Sequence, residues 1–209
     1  MADRYITVLH EGTGEIEEKR SRFIATLRHV ETQEEAAAFY EEMRKKYWDA
    51  RHNCTACILG KNREYRHSSD DGEPSGTAGR PMLEVLDGAG LTDTAVVVTR
   101  YFGGTLLGTG GLVRAYGGAV QEGLKNTELS EKQLCVSLKI RTDYNGVGKL
   151  QYLFGQYKVR ILDTVYENEV CFRIAVPPEE QKSMETAVAD ATAGKASIEE
   201  EGEGWYCRY

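Results

Sequence analysis

The chain is most distinctive at DDGEPSGTAGRP (residues 70–81) and TRYFGGTLLGTGG (residues 99–111), two glycine-rich segments that each run into a helical pattern. Glycine is favoured where the backbone takes a positive φ or where another group approaches the main chain closely. Anion-binding loops have both needs, because their backbone N–H groups face the ligand. Residues 70–116 therefore predict two loop–helix units at which a ligand docks.

The segment before these loops predicts two strands and a helix. Residues 6–9 and 23–27 predict short strands, with a turn at residues 11–14 and a polar lead-in to the second strand. Thr32, followed three positions later by Glu35, is a capping box that starts a helix. The core face of that helix consists of Ala36, Phe39, Tyr40, Met43 and Tyr47.

Further elements surround the loops themselves. Residues 54–59 predict a central strand with a polar lead-out, and residues 94–99 (TAVVVT) predict the clearest strand of the chain. A short helix is predicted at residues 81–86 and a longer one at residues 111–124. The longer helix contains Gly117, Gly118 and Gly123. Since each glycine costs about 1 kcal/mol relative to alanine, this helix is expected to pack very closely against a neighbour.

The remaining sequence predicts a second domain. Its elements are a strand from residue 134, a helix at residues 147–157, strands at residues 159–165 and 170–176, a helix between Pro178 and Gly194, and a strand from residue 196. This order, βαββαβ, is the ferredoxin-like arrangement. We therefore predict an α+β protein with domains at residues 1–130 and 131–209.

Composition limits the class of protein. The chain of 209 residues has 41% hydrophobic and 28% charged residues, and no apolar run approaches the roughly 20 residues that a membrane span needs. The N-terminus lacks the pattern of a secretory signal, which predicts a cytoplasmic location. An odd number of cysteines predicts free thiols (Cys54, Cys57, Cys135, Cys171 and Cys207). A net charge of −7 means that nucleic-acid binding requires a local basic patch.

The second loop matches neither named phosphate fingerprint. It lacks the lysine and hydroxyl residue of a P-loop and the third glycine of the dinucleotide motif. Free N–H groups at a helix start, with Arg100 and Arg114 nearby, can still hold a phosphate. A structural turn that tightens helix packing explains the same glycines, so both readings stay open. Tyr101 and Phe102 can stack on a base, although aromatic residues after a strand more often belong to a core or a domain contact.

Candidate metal and acid–base residues are few. Asp70, Asp71 and Glu73 are close in sequence, but they lack the alternating ligand spacing of an EF-hand. A polar turn with acids at a helix start is the simpler reading. Cys54 and Cys57 form one CxxC in a predicted strand, where positions three apart face opposite sides. We therefore predict no metal and no cofactor.

Three motifs resemble the IMPACT/YigZ family in its bacterial form. They are ARHNC (residues 50–54), SDDGEPSGTAGRP (residues 69–81) and VTRYFGG with LGTGGLVRAYG (residues 98–117). The resemblance implies a left-handed βαβ fold like domain IV of elongation factor G in the first domain, and a domain like its domain V in the second. It also implies a role around translation.

The residues that carry the family motifs form two sets. Predicted contacts to nucleic acid or phosphate are Arg80, Arg100, Arg114, Gly103, Gly104, Thr109, Gly110, Gly111 and His52. Motif residues without an assigned role are Asp70, Asp71, Gly72, Glu73, Pro74, Gly76, Thr77 and Gly79.

Three hypotheses for function follow. The first is a cytosolic, translation-associated regulator that binds RNA or the ribosome through the glycine-loop surface. The second is an enzyme acting on a small phosphorylated molecule, which predicts a deep pocket containing Asp71 or Glu73. The third is a regulator that binds a protein partner, which fits the acidic net charge and predicts a flat apolar surface.

Overall fold

The computed structural model describes residues 4–207, and the chain divides into two compact units between Glu131 and Lys132. This confirms the predicted class, a two-domain α+β protein. No helix among residues 4–207 is long and apolar enough to cross a bilayer.

The first unit is built on one antiparallel sheet. Its elements are β1 (Arg4–Val8), β2 (Gly12–Glu18), β3 (Ser21–His29), α1 (Gln33–Lys46), β4 (His52–Leu59), β5 (Tyr65–Ser69), α2 (Gly79–Gly88), β6 (Thr94–Tyr101) and α3 (Gly108–Lys125). The sheet has the order β2-β3-β6-β4-β5, every neighbouring pair in it is antiparallel, and β1 lies outside it. Helix α1 joins β3 to β4 across β6, and α2 joins β5 to β6 across β4. The left-handed crossover that the family resemblance implies stays a prediction.

Helices cover both faces of this sheet. On one face α1 packs Phe39 and Met43 against Cys57 and Val97. On the other face α2 and α3 form a larger core that includes Cys54 of β4. Because Cys54 and Cys57 face opposite sides, they cannot ligate one metal ion together, as their spacing predicts.

Two edge strands differ from the sequence prediction. Residues 12–18 form β2, so the predicted turn at residues 11–14 is wrong. The polar lead-out after β4 contains the other edge strand, β5. Charged and polar side chains are typical of edge strands and hide their alternation in a sequence.

Glycines allow β2 and α3 to pack main chain against main chain. A Cβ at Gly14 would lie 2.2 Å from the backbone nitrogen of Gly123, so the strand and the helix touch through their main chains. Gly117 and Gly118 have ordinary distances to side chains of α2 and β2 instead. Of these three glycines, only Gly123 therefore shows the predicted close packing.

The second unit has the ferredoxin-like strand order. Its elements are β7 (Leu129–Thr142), which begins three residues before the boundary, α4 (Tyr144–Gln156), β8 (Arg160–Tyr166), β9 (Val170–Val176), α5 (Gln181–Thr192) and β10 (Ser197–Cys207). The strands form the antiparallel order β10-β7-β9-β8. The core includes Leu138, Ile140, Leu150, Phe154, Phe172, Met184 and Val188. Periodicity predicts α4, β9 and α5 well because each has buried apolar residues on one face.

Candidate functional site

A cleft of about 440 Å³ opens where the two glycine-rich loops meet in the first unit. The first residue of β4, His52, is paired with Arg100 near the end of β6, so both loops reach the same end of the sheet. The cleft is lined by Arg51, His52, Glu73, Pro74, Arg100, Phe102, Leu106, Leu107, Gly108, Thr109 and Leu112.

The carboxylate of Asp70 occupies the start of α2. It accepts backbone N–H bonds from Gly76 at 2.7 Å, Ala78 at 3.0 Å and Gly79 at 2.8 Å. A helix start favours an anion because its first N–H groups have no intrahelical partner. The first loop thus fills this anion position with its own side chain, which gives the acidic motif a structural role.

Asp71 fixes the start of β4 and the ring of His52. Its carboxylate accepts the Asn53 backbone N–H at 2.7 Å, and its backbone oxygen lies 2.8 Å from Nδ1 of His52. A carbonyl oxygen only accepts, so Nδ1 of His52 carries the proton of this bond. The other ring nitrogen, Nε2, lies 4.0 Å from Oε1 of Glu73 at the wall of the cleft.

Glu73 and Arg100 form a buried ion pair beneath the cleft. Nη1 of Arg100 donates to Oε1 of Glu73 at 2.6 Å, and the Tyr116 hydroxyl donates to the same oxygen at 2.8 Å. Arg100 is 6% exposed, and its guanidinium lies 5.4 Å from the ring centre of Phe23 and 5.6 Å from that of Phe102. Arg100 was predicted as a phosphate contact, but it offers solvent no free cation. It instead supports the floor of the cleft.

Two neighbours of this pair are poor nucleophiles at neutral pH. Burial raises the pKa of the Cys54 thiol to about 12. Burial, together with the nearby thiol of Cys54, also raises the pKa of Tyr116 well above its ordinary value. Each group therefore keeps its proton and serves as a hydrogen-bonding partner within the core.

The other predicted contact residues divide between the cleft and its surroundings. Thr109, Gly110 and Gly111 form the first turn of α3, which has no side-chain cap. Arg114 is exposed one turn further on, and its Nη1 would lie 3.7 Å from a Cβ at Gly110. Arg80 lies on α2 outside the cleft lining and pairs with Glu84 at 2.9 Å.

The remaining motif residues shape the loops. Gly103 donates its N–H to Oγ of Ser21 at 3.2 Å, whereas Gly104 is exposed with a φ of 85°. Gly72 and Gly76 also have positive φ, and Thr77 donates its hydroxyl hydrogen to the Pro74 carbonyl at 2.6 Å. Gly79 is buried where α2 begins.

Sequence reasoning missed part of the cleft. Arg51, Leu106 and Leu107 line it without having been singled out as contacts. The core reading of Phe102 does not fit its side chain, which is 48% exposed at the cleft. The position of Phe102 directly after β6, beside the glycine pair, was the available signal.

The role of Asp70 predicts acid-dependent stability. Burial opposes the charged form, but the three backbone donors outweigh it, and the pKa of Asp70 lies below its ordinary value. The stabilisation is therefore complete above the unfolded-state pKa and is lost as pH falls through the folded-state pKa. We expect Asp70→Ala to lower the free energy of unfolding at pH 7 by about 2 kcal/mol. In urea titrations the difference from the parent protein should shrink below about pH 4. A difference that does not change with pH would contradict this assignment.

Comparisons with known proteins agree with this architecture. The family model for the Impact N-terminal domain matches residues 19–124, and a domain of unknown function, DUF1949, matches residues 140–195. IMPACT family member YvyE of Bacillus subtilis is 41% identical over 96% of this chain and 92% of its own length. IMPACT family member YigZ of Escherichia coli is 39% identical over 86% of this chain and 89% of its own length. A crystal structure of a hypothetical protein matches 95% of this chain and 97% of its own, with a TM-score of 0.65 and 36% identity. The chain belongs to the IMPACT family.

Proposed function

We propose that this protein is a cytosolic regulator of translation that binds unpaired RNA, free or on the ribosome, at the glycine-loop cleft. The carrying observation is the composition of the cleft, which joins the uncapped start of α3 to the exposed side chains of Arg51 and Phe102, with Arg114 exposed one turn further along the helix. Membership of the IMPACT family supports the link to translation. The cleft geometry supports the choice of ligand.

The start of α3 supplies the phosphate contact. In contrast to α2, whose start is occupied by Asp70, α3 begins at Gly108 without a side-chain cap. Its first N–H groups therefore remain available to an anion, and the helix dipole favours negative charge there. Arg51 and Arg114 are exposed and make no ion pair with another residue in the described range 4–207. Two free cations thus accompany the helix start.

The apolar part of the cleft suits a nucleobase. Phe102 and Leu106 are 48% and 82% exposed, and the volume of about 440 Å³ falls in the range of small-ligand sites. Stacking of a base on an aromatic side chain contributes about 1–3 kcal/mol. In the neutral imidazole whose Nδ1 donates to the Asp71 carbonyl, Nε2 of His52 can accept a hydrogen bond from a base edge. Only an unpaired base can enter, because a duplex keeps its bases stacked inside.

Binding is expected to be local and sensitive to salt. The net charge of −7 gives no general attraction to RNA, so the contacts at the cleft must supply the affinity. A single-stranded RNA with two neutralised phosphates gives a salt slope of about −1.4 in log affinity against log salt.

A double variant of the free arginines tests this function. We expect Arg51→Ala/Arg114→Ala to weaken binding to an unstructured RNA about tenfold and to flatten the salt slope by about 1.4. Fluorescence anisotropy of labelled RNA and co-sedimentation with ribosomes at rising salt measure the two effects. Arg80→Ala is the matched control, since this exposed arginine is already paired with Glu84 and neither lines the cleft nor lies on α3.

The same measurements identify the alternatives. If the parent protein binds neither RNA nor ribosomes at low salt, the proposal fails. One observation favours the enzyme hypothesis, which predicts an acidic residue in the pocket: Glu73 lines the cleft. The shared acceptor oxygen of Glu73 already receives hydrogen bonds from Arg100 and Tyr116, which opposes a role in proton transfer. Saturable binding of mononucleotides without RNA binding would favour an enzyme.

A further inference from the structure

The turn between β2 and β3 has an unusual backbone for its residues. Glu18 pairs with Ser21, so Lys19 and Arg20 form a two-residue hairpin loop. Both have positive φ, 48° for Lys19 and 66° for Arg20. Such type I′ turns strongly favour asparagine and glycine, because side chains with a Cβ tolerate this conformation poorly. Two consecutive basic residues here indicate a use for their side chains, since strained backbone concentrates at functional sites.

This turn lies directly against the second glycine-rich loop. A Cβ at Gly103 would lie 2.0 Å from the backbone carbon of Arg20, so the two main chains are in contact. Oγ of Ser21, the next residue, accepts the Gly103 N–H at 3.2 Å. The same hydroxyl oxygen lies 3.5 Å from Nη2 of Arg100. The turn is thus fixed to the segment that carries Phe102 and leads into α3.

The side chains of Lys19 and Arg20 are exposed, and within residues 4–207 they have no ion-pair or hydrogen-bond partner. The neighbouring Arg22, in contrast, pairs with Glu15. Glu17 and Glu18 precede the turn and are also exposed. With these acids alongside, the hairpin is distinguished by the position of the two cations at its tip and not by its net charge.

We propose that Lys19 and Arg20 form a second phosphate-binding element beside the cleft. It would hold the backbone of an RNA strand whose unpaired base enters the cleft. This inference rests on the proposed function and adds a contact that fixes the path of the strand. The rigid turn places both cations with little loss of backbone freedom on binding, which is the advantage of a preorganised site.

The strain in the turn permits a test that separates binding from folding. Lys19→Asn/Arg20→Gly introduces the residues that a type I′ turn prefers, so we expect a higher melting temperature together with about tenfold weaker RNA binding. With four neutralised phosphates the salt slope of the parent protein becomes about −2.8, and these variants should flatten it by about 1.4. Lys19→Gln/Arg20→Gln, which retains side chains of similar reach, should weaken binding equally with an unchanged melting temperature. Lys182→Ala/Lys195→Ala removes the same charge from exposed sites in the second unit and serves as the control.

The outcomes distinguish this inference from the proposed function. If both hairpin variants bind the labelled RNA with the affinity and salt slope of the parent protein, while Arg51→Ala/Arg114→Ala still weakens binding, the hairpin proposal alone is overturned. If the parent protein binds no RNA, both proposals fall. Equal weakening by the control pair would mean that total charge, and not the turn, sets the affinity, which also overturns the hairpin proposal.

Discussion

Replacing Arg100 by methionine is expected to lower the free energy of unfolding by about 3–5 kcal/mol. Methionine retains most of the apolar stem of arginine, so the measured loss of stability reports on the guanidinium group alone. The carboxylate of Glu73, whose side chain is 3% exposed, would then lack its charged partner in the core. Chemical denaturation followed by circular dichroism measures the change.

A double-mutant cycle checks that this cost comes from the pair itself. Glu73→Gln alone leaves the Arg100 guanidinium buried without its counter-ion, and it should also destabilise the protein. The double variant Glu73→Gln/Arg100→Met removes both charges, so its cost should be clearly less than the sum of the two single costs. Costs that add within about 0.5 kcal/mol would show that the two residues act independently and would contradict the buried pair.

The second large effect is expected at Gly103. Alanine there would place a Cβ 2.0 Å from the backbone carbon of Arg20 and 2.4 Å from the backbone nitrogen of Ser21. Because the obstacle is main chain, one of the two loops must move, and we expect a loss of about 3 kcal/mol in the free energy of unfolding. Thermal and urea denaturation measure this loss.

Gly88→Ala is the matched control for Gly103→Ala. Gly88 is the last residue of α2, and a Cβ there would meet nothing within 4 Å. Its replacement should leave stability unchanged or raise it by up to about 1 kcal/mol. If Gly103→Ala were as stable as Gly88→Ala, the contact between the hairpin turn and the second loop would not exist as described.

The two helix starts show how similar glycine-rich sequences acquire different roles. In the first loop, Asp70 satisfies three N–H groups around the start of α2, so this loop closes on itself. In the second loop, no side chain caps α3, and the helix start faces a cleft. From composition, both loops could be phosphate sites. Only the second leaves its anion position without an internal occupant, which is why the phosphate contact is proposed there.

The sequence by itself determines much of the architecture. Apolar periodicity predicts α1, α3 and the βαββαβ order of the second unit, because helices and strands with one buried face show it in a short window. The glycine-rich motifs also indicate the family and the end of the first unit at which a cleft forms. These signals are local in sequence, so they need no knowledge of which segments pair.

Only the tertiary structure decides which charges remain available at the cleft. Arg100 and Glu73 are 27 positions apart, yet the pairing of β4 with β6 and the closure of the first loop bring them together in the core. The same folding leaves Arg51 and Arg114 exposed and sets Arg20, which shares a turn with Lys19, against Gly103. A charge is neutralised or left free according to its burial and its nearest partner, and both are set by long-range contacts that no local pattern encodes.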